Sequence, residues 1–239
     1  MPEVLTFDAV VVGAGPAGSS AALALARAGR SVVLVERGPF PGAKNVYGGV
    51  VYGRVLDDIV PNWWEEVPVE RWVVRRSTMM MTGTQSLSVD FRTDAWGSAP
   101  YNGMTTLRSH FDAWLAGKAT GAGARLVTST VATGLVRDGS GRVVGVRTDR
   151  EGAELHAPVV VACDGVNSFL AKEAGLLRPD FVLEDISLAL MANEGIHAES
   201  PAMRVAASRR FAALMIQSFQ ANPGPAPLPP AVRLPLSRG

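Results

Sequence analysis

The chain has 239 residues, of which 47% are hydrophobic and 19% are charged, and this composition predicts a soluble globular protein with a sizeable core. The formal net charge of +1 leaves no broad basic surface, so we expect no nucleic-acid partner. The single cysteine, Cys163, excludes an internal disulfide, a redox-active dithiol and an iron–sulfur cluster ligated by this chain alone.

The first elements predicted along the chain are a strand, a glycine-rich turn and a helix. Residues 7–12 are mostly apolar, which is typical of a buried parallel strand. Gly13, Gly15 and Gly18 follow in the G-x-G-x-x-G spacing, where they permit a tight turn, the approach of a pyrophosphate and close helix packing. Pro16 suits the first helical position, and no Ser, Thr, Asp or Asn caps the helix. The first N–H groups of the helix therefore remain available to an anion.

Glu36 ends a second apolar strand, which is predicted at residues 31–35. A carboxylate at this point can accept hydrogen bonds from a ribose diol. The strand, turn, helix, second strand and acid together indicate a bound dinucleotide rather than a purely structural turn. The motif alone does not separate FAD from NAD.

A glycine-rich loop is predicted at residues 38–53, before a short helix at residues 55–60. The loop is too long and too rich in glycine for a simple connector. Its flexible backbone, with Lys44 and Asn45, could wrap the phosphates or the ring of a cofactor. An ordinary surface loop is the alternative.

Residues 61–91 are predicted to build part of a second subdomain. Trp63, Trp64 and Trp72 could line an apolar substrate site or touch a membrane, but packing within the subdomain is the favoured interpretation. Residues 73–81 and 86–91 are predicted to form a hairpin-like pair of strands. For the three methionines at 79–81, core filling is favoured over a role in a site.

A helix is predicted within residues 105–121, because Phe111, Trp114 and Leu115 share one face at helical spacing. Arg108 stands at the start of this helix, where a cation gains nothing from the helix dipole. This mismatch suggests that Arg108 faces a carbonyl or a phosphate, and a solvated arginine is the alternative.

Short strands at residues 124–130, 131–136, 142–148 and 155–157 are predicted to form an antiparallel meander, and residues 159–162 another fully apolar strand. Asp164 and Gly165 follow at the carboxyl end of that last strand, where α/β sheets place ligands. Asn167 and Ser168 open the next helix, so this loop is alternatively just a well-capped helix start.

The last part of the chain carries weaker patterns. Residues 181–192 fit a strand or a helix, residues 204–220 have helical spacing, and the proline-rich residues 222–239 are predicted to be disordered. None of the three histidines has a partner at ligand or triad spacing, so no catalytic or metal-binding residue is predicted.

These motifs together resemble the FAD-dependent geranylgeranyl reductase-like flavoproteins, and within them the branch of FixC-type electron-transfer-flavoprotein:quinone oxidoreductases. The motifs occur in the family's order over residues 7–176, and they are FDAVVVGAGPAGSSAALALARAG, VERG, GAKNVYGG, LRSHFDAWL and VACDGVNSFLAKEAG. GAKN before GG, with RSxFDxWL downstream, is far more specific than the first motif, which many flavoproteins share.

The resemblance implies FAD as the cofactor and assigns it a set of binding residues. The pyrophosphate would lie on the turn formed by Gly13, Gly15, Pro16, Ala17 and Gly18, and the adenosine ribose on Glu36. The cofactor loop would be lined by Arg37, Lys44, Asn45, Gly48 and Gly49. The remaining contacts would come from Arg108, from the backbone of Val131 or Ala132 at the adenine, and from Asp164 and Gly165 in a second loop.

The implied fold class is α/β: a Rossmann-like FAD/NAD(P)-binding domain of the glutathione-reductase/hydroxybenzoate-hydroxylase type with a partial second antiparallel-sheet domain. The FAD-binding domain would comprise residues 1–60 and 100–176, and the second domain residues 61–99 and 177–221. The match fades after residue 176, and the chain contains no Gly-Asp dipeptide, whereas the family carries a Gly-Asp-Ala type motif later in its sequence. We therefore expect a shortened family member that binds FAD more weakly.

The family's activity implies electrons arriving from a reduced electron-transfer flavoprotein and leaving toward quinone, with the flavin as the redox centre. A separate ferredoxin-like protein would supply the iron–sulfur cluster. Three alternatives are reduction of isoprenoid double bonds, a non-catalytic FAD-binding fragment, and a monooxygenase of the hydroxybenzoate hydroxylase type. With no long apolar run and no basic start typical of a signal peptide, a cytoplasmic protein is expected, with peripheral contact at the inner face of the membrane left open.

Overall fold

The structure, a computed structural model, describes residues 4–45, 47–165, 168–223 and 227–231. It divides into two compact units, Met1–Cys163 and Asp164–Gly239, which we describe separately. The strands are β1 (Val4–Thr6), β2 (Ala9–Val12), β3 (Val32–Val35), β4 (Gly48–Tyr52), β5 (Arg71–Trp72), β6 (Arg75–Met81), β7 (Ser86–Arg92), β8 (Gly103–Leu107), β9 (Arg125–Val127), β10 (Ala132–Arg137), β11 (Val143–Thr148), β12 (Glu154–His156) and β13 (Val159–Ala162). The helices are α1 (Pro16–Arg27), α2 (Arg54–Asp57), α3 (Arg108–Gly121), α4 (Phe169–Glu173), α5 (Leu183–Glu194) and α6 (Pro201–Phe219).

A parallel sheet in the order β13-β2-β3-β9 forms the centre of the first unit. Every residue of β2 and β3 is buried, which explains why both strands read as continuous apolar runs. Ala9 pairs with Val32 and Val11 with Leu34, and these four side chains share one hydrophobic core with residues of α1 and α3. The predicted β-α-β unit is confirmed, and α1 and α3 pack against each other.

The predicted meander is confirmed for three of its four strands: β10, β11 and β12 pair antiparallel in sequence order. The fourth strand predicted for it, at residues 124–130, is wrong, because β9 pairs in parallel with β3 in the central sheet. β1 pairs with β12 in parallel, which completes a second four-stranded sheet. Residues 7 and 8 therefore separate two strands, β1 and β2, where the sequence suggested a single strand beginning at Phe7. At this junction Asp8 accepts hydrogen bonds from the backbone N–H and the hydroxyl of Ser31, at 2.8 and 3.0 Å.

A three-stranded antiparallel sheet, in the order β4-β8-β5, contains two strands that the sequence did not predict. The expected loop at residues 38–53 ends in strand β4, and strand β8 precedes α3, which begins at Arg108 as predicted. β4 begins with two glycines, which are uncommon in strands and favour the prediction of a loop, although Val50, Val51 and Tyr52 follow them. Because its partner β8 lies more than 50 residues away in sequence, no local pattern revealed the pairing.

The tryptophan cluster packs inside the first unit, as expected. Trp63 is 1% exposed, and its indole N–H donates to Asp57 Oδ1 at 2.8 Å. Its ring makes edge contacts with those of Trp64 and Trp72, at centroid distances of 5.8 and 5.9 Å, and Trp72 stacks on Tyr101 at 3.8 Å. These contacts favour the packing interpretation over a membrane or substrate surface.

β6 and β7 form the predicted hairpin, but every residue of both strands is exposed. Met79, Met80 and Met81 are 58%, 59% and 71% exposed, so the expectation that they fill a core is wrong. The described part of the chain places no third strand beside this hairpin, and a two-stranded ribbon has no interior to fill.

The helices described in the second unit are α4, α5 and α6. Residues 181–192, which the sequence left open as strand or helix, lie mostly in α5, and α6 follows with the Ser200 side chain accepting a bond from the Met203 N–H. The predictions for Asn167 and for residues 224–226 and 232–239 of the tail lie outside the described residues. Among the described helices, none is long and apolar enough to cross a membrane. The sequence predicted an FAD-binding domain and a second domain with particular boundaries, and that division stays a prediction.

Candidate dinucleotide site

The N-terminus of α1 meets the carboxyl end of the parallel sheet at a turn that only glycine adopts readily. Gly13 has φ of 98°, a left-handed conformation, and its N–H donates to the Val35 carbonyl at 2.7 Å. Pro16 is the first helical residue, and no side chain caps the helix. Within the described residues, the backbone N–H groups of Gly15, Ala17 and Gly18 have no hydrogen-bond acceptor. Together with the helix dipole, these donors form an anion-binding terminus.

Gly18 and Gly15 lack side chains for different reasons. A Cβ on Gly18 would lie 1.8 Å from the Gly13 carbonyl oxygen, so α1 packs on the turn at a distance that no side chain permits. A Cβ on Gly15 would meet only the Arg108 guanidinium, at 3.9 Å, so the space above Gly15 is open. The close-packing role predicted for Gly18 is confirmed, and Gly15 leaves room for a phosphate.

Glu36 lies at the end of β3, and its half-buried carboxylate accepts two backbone hydrogen bonds. Oε2 accepts from the Ala14 N–H at 3.0 Å, and Oε1 accepts from the Gly38 N–H at 2.7 Å. The side chain therefore holds the glycine turn against the end of the strand. It also lies where the sequence predicts the ribose. Each carboxylate oxygen can accept a further bond, so a ribose diol is compatible with both existing contacts.

Arg108 is held in place by a carboxylate that the sequence analysis did not single out. Its Nε and Nη2 donate to the two oxygens of Asp112, both at 2.8 Å. Asp112 is fully buried and also accepts a bond from the Asn45 side-chain amide at 3.2 Å. The hydrogen bonds to Asp112 raise the pKa of Arg108 above its usual value, so the guanidinium stays charged. Arg108 thus lies beside the α1 terminus with its positive charge retained. The contact observed is to a carboxylate, and the phosphate contact suggested by the dipole mismatch stays a prediction.

The cofactor loop packs on the start of α3 through a glycine. Gly42 has φ of 86°, and a Cβ there would lie 2.7 Å from the Arg108 carbonyl oxygen. Gly48 and Gly49 belong to β4, where they pair with Leu107 and Thr106 of β8. The structure therefore brings this loop and the glycine pair to the first turn of α3.

The structure also shows the surroundings of the remaining residues of the first unit that are expected at the cofactor. Arg37 and Lys44 are exposed. Val131 exchanges two hydrogen bonds with Asp149, whose carboxylate accepts the Val131 N–H at 2.9 Å and whose N–H donates to the Val131 carbonyl at 3.0 Å. An adenine contact through the N–H of Val131 would have to displace one of these bonds, whereas Ala132 lies in β10 opposite Thr148.

Asp164 and Gly165 belong to the second unit. The Asp164 carboxylate accepts bonds from the Ser168 hydroxyl and from the Leu170 N–H, the latter at 3.2 Å. Ser168 in turn caps α4 by accepting from the Ala171 N–H at 3.1 Å. These contacts match a well-capped helix start, and a contact to the cofactor stays a prediction.

An apolar cavity of about 380 Å³ lies beside the α1 terminus in the first unit. Its wall is contributed by α1, β4, α2 and α3, and includes Pro16, Tyr47, Val50, Phe111 and the Arg108 side chain. A charged group at one side of an apolar wall suits a ligand with an anionic part and an apolar part. The free helix terminus, the open space above Gly15 and the carboxylate of Glu36 together fit the pyrophosphate and ribose of FAD.

Comparison with known proteins agrees with this geometry. The family of FAD dependent oxidoreductases matches residues 8–175. The chain is 42% identical over 170 residues to the protein FixC of Bradyrhizobium diazoefficiens and 40% identical over 206 residues to that of Salmonella typhimurium. These alignments cover 71% and 79% of this chain but only 39% and 47% of the two relatives, so the chain spans less than half of their length.

Solved structures show the same fold. A geranylgeranyl bacteriochlorophyll reductase-like protein from Thermoplasma acidophilum superposes with a TM-score of 0.61 at 26% identity, over 72% of this chain and 43% of that one. The myxobacterial chondrochloren halogenase CndH, with a TM-score of 0.58 at 24% identity over 74% of this chain and 41% of its own, shares the fold alone. The glycine turn, the acid at the end of β3 and the family match over residues 8–175 lead to one conclusion: the chain belongs to the FAD-dependent oxidoreductases, and FAD is its cofactor.

Proposed function

We propose that this chain is the FAD-binding portion of a FixC-type oxidoreductase that passes electrons from a reduced electron-transfer flavoprotein toward quinone. The observation that supports it most is the identity of 42% over 170 residues to FixC, combined with an anion cradle built from the chain's own backbone. FAD, when bound, supplies the reversible uptake and release of electrons. The chain's residues bind and orient it.

Three groups divide this binding between them. The α1 terminus donates its free N–H groups to the pyrophosphate, and Arg108 adds a positive charge beside it. Glu36 accepts bonds from the ribose while its oxygens stay tied to the backbone of the turn. The redox change would occur on the cofactor, so no side chain of the site has to be oxidised or reduced.

The electron acceptor is proposed to be apolar. The cavity beside Arg108 is lined mainly by aliphatic and aromatic side chains, which suits a quinone ring better than a charged acceptor. A ferredoxin-like partner is proposed as the carrier of the iron–sulfur cluster, because one cysteine cannot ligate such a cluster.

A second candidate function is reduction of an isoprenoid double bond. It is favoured by the 26% identity to the geranylgeranyl bacteriochlorophyll reductase-like protein and by the same apolar cavity. A third candidate is FAD binding without catalysis by this chain alone, because it spans less than half the length of its FixC relatives.

One experiment separates these functions. The chain is loaded with FAD, and reoxidation of its flavin after reduction is followed under anaerobic conditions with a short-chain ubiquinone analogue or with a geranylgeranyl lipid. Rapid reoxidation by the quinone, together with reduction by a reduced electron-transfer flavoprotein, supports the first function. Reoxidation by the isoprenoid alone supports the second, and a flavin that exchanges electrons with neither supports the third.

A further inference from the structure

We propose that Asp112 is the positioning residue of the cofactor site: it holds Arg108 beside the α1 terminus and ties the preceding loop to α3 before FAD binds. The proposal rests on the proposed function, because the ligand that benefits is FAD. Asp112 itself lies behind Arg108 and acts through other groups, so it is not a catalytic residue.

The burial of Asp112 sets its ion pair apart from an ordinary pair on a helix surface. Carboxylates at i+4 from an arginine commonly lie exposed and contribute little. Asp112 is 0% exposed, and a buried carboxylate is tolerated only when it is paired and hydrogen-bonded. Here it accepts three bonds, two from Arg108 and one from Asn45. This arrangement fixes two separate pieces of the site with one side chain.

The first piece is the Arg108 guanidinium. Its bonds through Nε and Nη2 form a planar fork with the carboxylate, which sets both the position and the plane of the group. In that position Nη2 lies 3.9 Å from where a Cβ of Gly15 would be. The Nη1 hydrogens remain available to a phosphate. An arginine fixed in advance loses less side-chain freedom when the ligand binds.

The second piece is the loop that leads to β4. The Asn45 amide donates to Asp112, and Gly42 packs against the Arg108 carbonyl at the same helical turn. Lys44, which lies between them, is expected to face the cofactor. Asp112 therefore links the loop, the arginine and the helix start.

The charge of Asp112 and its positioning role predict opposite changes in FAD binding when Asp112 is neutralised. One substitution can therefore distinguish the two. Asp112 is negative and lies one side chain away from an anion site. If only its charge mattered, neutralising it would strengthen the binding of a pyrophosphate. If positioning dominates, neutralising it weakens binding, because Arg108 and the loop lose their fixed geometry.

The test is the variant Asp112→Asn in the full chain, with FAD affinity measured by quenching of flavin fluorescence. We expect the Kd for FAD to rise at least tenfold. Glu66→Gln is the matched control, because it removes the other ion pair of α3, that between Lys118 and Glu66, and it should leave the Kd within twofold. In the background of Arg108→Met, adding Asp112→Asn should raise the Kd no more than threefold further. A Kd that is unchanged or lower in Asp112→Asn overturns the proposal.

A second readout needs no FAD. Amide hydrogen exchange of residues 38–45 in the free protein should be at least fivefold faster in Asp112→Asn than in the wild type or in Glu66→Gln, and equal exchange refutes the proposal. If Asp112→Asn fails to fold, Asn45→Ala on an exposed residue tests the same tie, and unchanged exchange and Kd there refute it. A wild-type chain that takes up no FAD refutes the proposed function, whereas the exchange result still decides whether Asp112 orders the loop.

Discussion

Replacing Gly18 by alanine tests how closely α1 must approach the glycine turn. The added Cβ would lie 1.8 Å from the Gly13 carbonyl oxygen and 3.3 Å from the Cys163 Cβ. Restoring even a 3.0 Å separation requires a relative shift of about 1.2 Å between helix and turn. Neither contact atom can move easily, since one is backbone and the other belongs to a residue directly after β13.

The size of the effect follows from two opposing terms. Overpacking of a tight contact costs about 1–3 kcal/mol, whereas replacing a helical glycine by alanine gains about 1 kcal/mol. We expect Gly18→Ala to lower the free energy of unfolding by up to about 2 kcal/mol. The same shift lengthens the hydrogen bonds that the N–H groups of the α1 terminus donate to a pyrophosphate. Each charge-assisted hydrogen bond that is lost costs about 1.5 kcal/mol of binding free energy. The Kd for FAD should therefore rise about tenfold or more.

The assay is urea denaturation followed by tryptophan fluorescence, together with titration of FAD. Gly117→Ala is the matched control, because Gly117 is an exposed residue inside α3 whose Cβ would meet nothing within 4 Å. This control should be about 0.5–1 kcal/mol more stable than the wild type and should bind FAD equally well. If Gly18→Ala matches Gly117→Ala in both stability and FAD affinity, the close-packing argument is wrong.

Three further changes have defined outcomes. Gly15→Val should fold with wild-type stability, because residue 15 has φ of −74° and an open Cβ direction, yet its methyl groups should fill the anion space and abolish FAD binding; retained binding would place the pyrophosphate elsewhere. Trp63→Ala should lower the free energy of unfolding by about 3–5 kcal/mol, measured by urea denaturation, because Trp63 is buried at the centre of an aromatic cluster; a loss below 1 kcal/mol would contradict this. Hydrogen bonds from Ser31 lower the pKa of Asp8 below its ordinary value of 3.8, so its stabilising contribution is present above that pH and is lost as the pH falls below it. The urea midpoint of Asp8→Asn should accordingly fall less between pH 7 and pH 3 than that of the wild type. Equal falls of the two midpoints would show that ionised Asp8 does not stabilise the fold.

The central β-α-β unit could be predicted from sequence because its signals are local. An apolar run, three glycines at fixed spacing and a terminal acid all lie within residues 7–36, and Gly13, Gly18 and Glu36 occupy the places those signals indicate. The buried face of α3, with Phe111 and Leu115, followed from helical periodicity in the same way.

What the sequence did not reveal depends on contacts between distant segments. β4 exists because it pairs with β8, and neither strand has a strong pattern of its own. The methionines of β6 read as core residues because they are apolar, but their exposure depends on which elements lie beside the hairpin. Asp112 stands four residues after Arg108, a spacing that is common on helix surfaces. Complete burial and the approach of Asn45 distinguish it from such a surface residue, and neither can be read from that spacing.

The most direct test of the central claim is the absorption spectrum of the purified chain after incubation with FAD and gel filtration, beside that of Gly15→Val. We expect the wild-type chain to retain a flavin spectrum and the folded variant to be colourless. A colourless wild-type chain, or a variant that retains as much flavin as the wild type, would contradict the assignment of the α1 terminus as the FAD site.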